Sequence, residues 1–250
     1  MKAIAIYNNK GGTAKSTSVI NIAYILAVLQ GKRVLVVDTD GQQNTARFFS
    51  ETPLPTYGLE ETLLNAEYSP INALRTTRYE NIDVLASSDR MNRCAEKFAQ
   101  YSEEEQEQRV NRLLLFFEND YDYIFIDMPP TLSCVTENFL RASDGIAVPI
   151  ELGTFAVQGV ARVTDTINRV GGAFLGCFIT KFDRENKSDE ELMGLLNKSL
   201  GSKLFRSVIP YSKIIRNSLN YRQTAYEYMH WLPPVECYVS LTDEIIRKVG

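Results

Sequence analysis

A chain of 250 residues, 44% hydrophobic and 23% charged, carries enough apolar material for one sizeable core and no low-complexity bias. Its net charge of −4 gives no bulk signal of a nucleic-acid binder, and no apolar run reaches the roughly 18 residues of a membrane span. Four cysteines without a CxxC pair, and one histidine, exclude the usual structural zinc pattern and read as reduced thiols in a cytoplasm.

Ala3–Tyr7 predicts a first strand. It runs into Asn8-Asn9-Lys10-Gly11-Gly12-Thr13-Ala14-Lys15-Ser16-Thr17, and the pattern over 16–30 predicts a helix opening at about Lys15. Glycines let the backbone curl until successive N–H groups face phosphate oxygens, and the helix N-terminus adds its dipole. Lys15 is placed for the β- and γ-phosphates and the Ser16 hydroxyl for Mg²⁺. Arg33–Val37 predicts a second strand, ending in Asp38-Thr39-Asp40-Gly41-Gln42-Gln43-Asn44. Two carboxylates two residues apart at a strand end can both face a metal–triphosphate edge.

The Pro-containing stretch 53–57 reads as a surface loop and Ile82–Leu85 as a strand. Residues 89–118 predict one long helix, with Glu103, Glu104, Glu105 and Glu107 on a solvated face. Tyr123–Ile126 is an apolar strand closed by Asp127, the pattern of a carboxylate that holds Mg²⁺. Strands follow at Gly145–Pro149, Ala173–Ile179 and Leu204–Val208, with helices over 157–170 and 189–200. Apolar strands alternating with helices imply an α/β fold: one domain over 1–250, a doubly wound, mostly parallel sheet flanked by helices. Ligands of such sheets sit at the carboxyl ends of the strands, where these motifs fall.

Thr180-Lys181-Phe182-Asp183 follows a strand and fits the [NT]KxD pattern that reads guanine in GTPases. Residues 198–222 hold six basic side chains and no acid. Lys213 and Arg216, three apart on a predicted short helix, share a face and with Arg222 are the first candidates for DNA contact; Lys203 and Arg206 stand behind them. Tyr221, Tyr226, Tyr228 and Trp231 read as core packing. The C-terminal stripe of Ile245, Ile246 and Val249, accompanied by Asp243 and Glu244, reads as a helix docked on its own domain.

Lys10, just before the glycine pair, makes the loop resemble the deviant Walker A motif, KGGxxK[S/T], of the ParA/MinD family of P-loop ATPases. Asp38–Gln42 resembles that family's DxDPQ segment, with Gly41 where proline is common, and Asp127–Pro130 resembles its DxPP segment. Thr180–Arg184 and Ile209-Pro210 extend the likeness over nearly the whole chain. One departure is Ala14, where the family mostly carries glycine.

The resemblance implies ATP and Mg²⁺ as ligands. Lys10, Gly11, Gly12, Thr13, Ala14, Lys15, Ser16, Thr17 and Asp127 would bind the phosphates and metal, and Thr180, Asp183 and Pro210 the base. Ser16, Asp38 and Asp127 would form the metal shell, Asp40 would orient the attacking water, and Lys10 would cross a homodimer interface. The ParA branch implies an ATP-bound dimer on nonspecific DNA, nucleoid-associated, released when a ParB-like centromere-binding partner stimulates hydrolysis. A MinD-like membrane-positioning ATPase is the alternative. An iron–sulfur enzyme using Cys94 and Cys134 fits worst, because Met91–Lys97 is charged and lacks the glycines of a cluster pocket.

Overall fold

The computed structural model describes residues Met1–Gly250. Eight strands form one sheet: β1 (Lys2–Ile6), β2 (Val34–Asp38), β3 (Leu74–Thr76), β4 (Ile82–Ala86), β5 (Tyr123–Asp127), β6 (Gly145–Glu151), β7 (Phe174–Phe182) and β8 (Leu204–Pro210). The order across the sheet is β3-β4-β2-β5-β1-β6-β7-β8. All neighbours run parallel except β3 and β4.

The strands read as continuous apolar runs because both faces are covered. Successive side chains alternate between two cores: Leu35, Val37, Ile124 and Ile126 enter one, Val34, Val36 and Phe125 the other. Each fully buried Val, Leu or Ile stabilises the fold by about 1.5–3 kcal/mol, so the central strands are held from both sides.

The helices are α1 (Lys15–Tyr24), α2 (Asn44–Phe49), α3 (Leu59–Leu64), α4 (Met91–Phe98), α5 (Glu103–Phe116), α6 (Cys134–Ala142), α7 (Ala156–Arg169), α8 (Lys187–Leu200), α9 (Lys213–Asn220), α10 (Ala225–Met229) and α11 (Pro233–Val249). A π-helical turn, Ile25–Leu29, extends α1 to the predicted length. The long helix expected over 89–118 is two. Ser102 breaks it: its hydroxyl accepts from Glu105 N–H while the Glu105 carboxylate accepts from Ser102 N–H. This capping box makes Glu103, Glu104 and Glu105 the first turn of α5, where carboxylates complement the helix dipole.

The C-terminal stripe is docked as expected in part. Tyr238, Leu241, Ile245 and Val249 of α11 are buried in the second core, whereas Ile246 packs at its margin. Glu244 on the same helix accepts hydrogen bonds from the N–H groups of Arg206 and Ser207, at 2.9 and 3.0 Å, along the outermost strand β8. No helix is long and apolar enough to cross a membrane. The aromatic group near α10 meets the expectation of core packing only in part: Tyr226 packs against the second core and Tyr24. Tyr221 and Trp231 are exposed at 67% and 64%, and Tyr221 stacks on Tyr228 at the surface, centroids 5.7 Å apart. Tyrosine and tryptophan each carry a polar atom, so their sequence spacing alone does not distinguish a buried cluster from a wet one.

Candidate functional site: a nucleotide cleft at the strand ends

The loop between β1 and α1 is built for anions. Gly12 and Ala14 take left-handed backbone angles, φ +76° and +65°. The N–H groups of Gly11, Gly12, Thr13 and Ala14 make no hydrogen bond within the chain. They border a cleft of about 760 Å³ that runs from Gly11 to Thr17 and reaches Asp40, Pro130 and Lys181. Lys15 is 8% exposed, and its Nζ lies 3.1 Å from Asn8 O and 3.2 Å from Lys10 O. Burial pushes its ammonium below the ordinary lysine range, opposed by the charges of Asp127 and Asp40. Its only hydrogen-bond partners are these two loop carbonyls.

A β-carbon at a left-handed position is sterically costly, and Ala14 carries one. Replacing it by glycine relieves that strain but adds freedom to the unfolded chain, so Ala14→Gly is expected to gain about 0.5 kcal/mol in urea unfolding. Ala14→Val, branched at the same φ, is expected to lose about 2 kcal/mol and to weaken nucleotide binding. Equal stability of all three proteins would show that Ala14 relaxes out of this conformation.

Two carboxylates meet beside the loop at the ends of adjacent strands, where Asp38 and Asp127 are register partners. Both are buried, at 0% and 1% exposure. Asp38 is pushed up by burial and by Asp127, against the N–H donors of Ala46 and Asp40. Burial raises Asp127 to about 6, opposed by the hydroxyls of Thr45 and Ser16 and by Lys15. Thr45 Oγ1 donates to Asp127 Oδ2 at 2.5 Å, and Ala46 N–H donates to Asp38 Oδ2 at 2.8 Å, so the first turn of α2 grips both. Asp127 Oδ1 is buried with no partner. A buried pair of like charges with an orphaned oxygen and a neighbouring hydroxyl fits a divalent cation. Asp40 is half-buried at the cleft wall. Its N–H donates to Asp38 Oδ1 and its Oδ1 accepts from Gln42 N–H.

A second cavity of about 770 Å³ shares Ala14, Thr17, Lys181 and Leu219 with the first. Thr180, Asp183 and Pro210 all line it, beside Ser212 and Arg216. The two volumes join along these shared walls at the carboxyl ends of β1 and β7. Lys10 lies apart from both. Its ammonium has no partner within the chain, and the residue lines a smaller cavity near the exposed Phe155.

The basic residues do not form one patch. Lys213 and Arg216 are exposed, unpaired, and joined by Asn217 and Asn220 on one face of α9. Lys203 lies at the other end of the sheet, donating to Phe174 O at the start of β7. Arg206 sits between them on β8 and faces a separate cavity with Arg184 and Met193. Seven residues of strand, about 23 Å, carry the chain from one end of the sheet to the other, so an acid-free stretch in sequence is not a contiguous surface. Arg222 is engaged elsewhere: it donates to Phe48 O and Ser50 O at the end of α2 and borders the phosphate cleft. Cys94 is buried and its thiol is pushed up to about 12 by burial, unlike the thiolate that a cluster ligand must be.

Thr45 and the cleft-side position of Arg222 escaped the sequence reading. Neither belongs to a recognisable motif, and each acts through contacts with residues more than 80 positions away.

A family model described as an AAA domain matches residues 1–174. An uncharacterized protein of Mycobacterium tuberculosis is 32% identical over 218 residues, aligning 83% of this chain and 67% of its own. The chromosome-partitioning ATPase Soj of Treponema pallidum is 28% identical over 256 residues, covering 100% of this chain and 98% of its own. Among solved structures, cobyrinic acid a,c-diamide synthase from Mycobacterium smegmatis, with bound ADP and magnesium, superposes with a TM-score of 0.82. It is 25% identical, and the match covers 99% of this chain and 94% of that one.

Proposed function

The chain belongs to the AAA-domain family, among the ParA/MinD P-loop ATPases, and from that premise we propose that its ATP hydrolysis drives DNA partitioning. The observation that carries this reading is the unpaired basic face of α9, with Lys213 and Arg216 exposed and Arg216 also lining the cavity beside the phosphate loop. Lysines and arginines free of acidic partners can neutralise DNA phosphates without breaking an internal contact. A surface that shares a wall with the nucleotide site can respond to what that site holds.

ATP is the substrate. The free N–H groups of residues 11–14 and the α1 N-terminus receive its phosphates, and Lys15 exchanges loop carbonyls for phosphate oxygens. Ser16, Asp38 and Asp127 would hold Mg²⁺, which offsets charge on the reacting phosphate oxygens. Asp40 orients the attacking water: phosphoryl transfer needs placement more than proton removal, and a half-buried carboxylate at the cleft wall provides it. Lys10, unpaired in the monomer, reaches the nucleotide of a second copy in a sandwich dimer. Loss of the γ-phosphate then loosens the dimer and releases DNA. A ParB-like partner accelerates that step.

Binding to random duplex DNA without nucleotide, with ADP and with ATP tests the reading. ATP-dependent, salt-sensitive binding is expected, weakened by about tenfold or more in Lys213→Glu/Arg216→Glu. Absence of DNA binding in every nucleotide state, by a protein that still binds ATP, would sink it. The α11 stripe speaks against the membrane alternative, because the burial of Ile245 and Val249 leaves little apolar surface for a bilayer.

A further inference from the structure

We propose that Lys181 is a positioning residue for the phosphate loop: with Glu151 and Thr180 it fixes the loop's peptide planes so that their N–H groups are presented to the nucleotide. Lys181 is the penultimate residue of β7, yet its φ is +55°. That conformation is sterically unfavourable for lysine and persists only where the surroundings hold it. Here the ammonium is held on the phosphate loop. Nζ lies 2.6 Å from Gly12 O and 3.1 Å from Glu151 Oε2 at the end of the neighbouring strand β6. The residue before it reaches the next peptide: the buried Thr180 hydroxyl, with one proton to share, lies 3.2 Å from Thr13 O and 3.2 Å from Ile150 O. Two consecutive carbonyls of the loop are therefore tied to the end of β7.

In a trans peptide, the carbonyl of one residue and the N–H of the next point in opposite directions. Holding the Gly12 and Thr13 carbonyls against β7 turns the Thr13 and Ala14 N–H groups away from it, and neither has a partner in the chain. Both residues line the phosphate cleft, and so does Lys181. The Lys181–Glu151 pair is about one-third exposed, so as an ion pair it adds little to stability. Its contribution is orientation: donors fixed before the ligand arrives are not reordered when it binds. The assignment rests on ATP binding alone and stands or falls separately from the DNA reading.

Lys181→Met keeps the stem and removes the ammonium. Titration with a fluorescent ADP analogue and steady-state hydrolysis are expected to show Kd and KM about tenfold higher, with kcat at saturating ATP within about twofold of wild type. Lys181→Arg, which keeps a donor, is expected to recover most of the affinity, and Glu151→Gln to fall between. Wild-type affinity in Lys181→Met would overturn the proposal. A loss of kcat in step with affinity, accompanied by a lowered Tm and no rescue by Lys181→Arg, would also overturn it, because that is the signature of a merely structural contact.

Discussion

Lys15→Met is expected to lower ATP turnover on the order of a thousandfold, about 4 kcal/mol of transition-state stabilisation, while leaving the protein folded. The two halves of that expectation have separate causes. At the transition state, Lys15 is the one buried ammonium beside the cleft, and no other cation there is enclosed to the same degree. Charge developing on phosphate oxygens in a site shielded from water is sensitive to such a group. In the nucleotide-free fold the same charge is a burden. Burial depresses its pKa, so at neutral pH the protonated side chain costs stability that an uncharged methionine does not. The unliganded variant is therefore expected to melt no lower than wild type. Saturating ATP with Mg²⁺ should raise the wild-type Tm by linkage and leave the variant's almost unmoved. Turnover within tenfold of wild type would remove Lys15 from the role assigned to it.

The second large effect is a pH dependence set by the carboxylate pair. Burial raises Asp127 from its ordinary 3.8 to about 6, and Asp38 is also raised. A carboxyl whose folded pKa lies above its unfolded one favours the folded state while protonated. That stability is fully present below about pH 4 and is lost as pH rises through about 6. A shift of this size corresponds to about 3 kcal/mol. Other carboxylates titrate in the same range, so the informative quantity is wild type minus Asp127→Asn, followed by urea unfolding in metal-free buffer. Wild type is expected to fall relative to the variant between about pH 4 and 7. Mg²⁺ with nucleotide is expected to restore it by offsetting the paired charge. Parallel pH profiles for the two proteins would mean that Asp127 does not titrate in this window.

Much of this site was legible because its chemistry is local in the chain. Residues 8–17 contain strand end, glycines, lysine and hydroxyl in one run, and Asp38 and Asp127 each close an apolar strand. Burial on both faces of the sheet leaves these strands apolar throughout, and their alternation with helices made the fold class readable. The misreadings have a different origin. The break at Ser102 lies inside a helix-favouring run and depends on a reciprocal side-chain bond. The stretch 198–222 is free of acids in sequence, but β8 carries it across the sheet and leaves only Lys213 and Arg216 together on α9. Thr45 and Arg222 act through residues distant in sequence, and six-residue α2, which they hold at opposite ends, is too short to show a period.

The margins of the sheet decide how one copy of this chain meets another at high concentration. An open row of strand amides invites any extended segment to add itself, and many copies held close would then fuse edge to edge. One margin here is β3, three residues long and antiparallel to its neighbour. The other is β8, where the Glu244 carboxylate of α11 already occupies two amide hydrogens. Each margin is blunted, one by its length and the other by the carboxylate on its amides. A second copy meeting either border of the sheet finds a three-residue strand or a strand whose amides at Arg206 and Ser207 are taken.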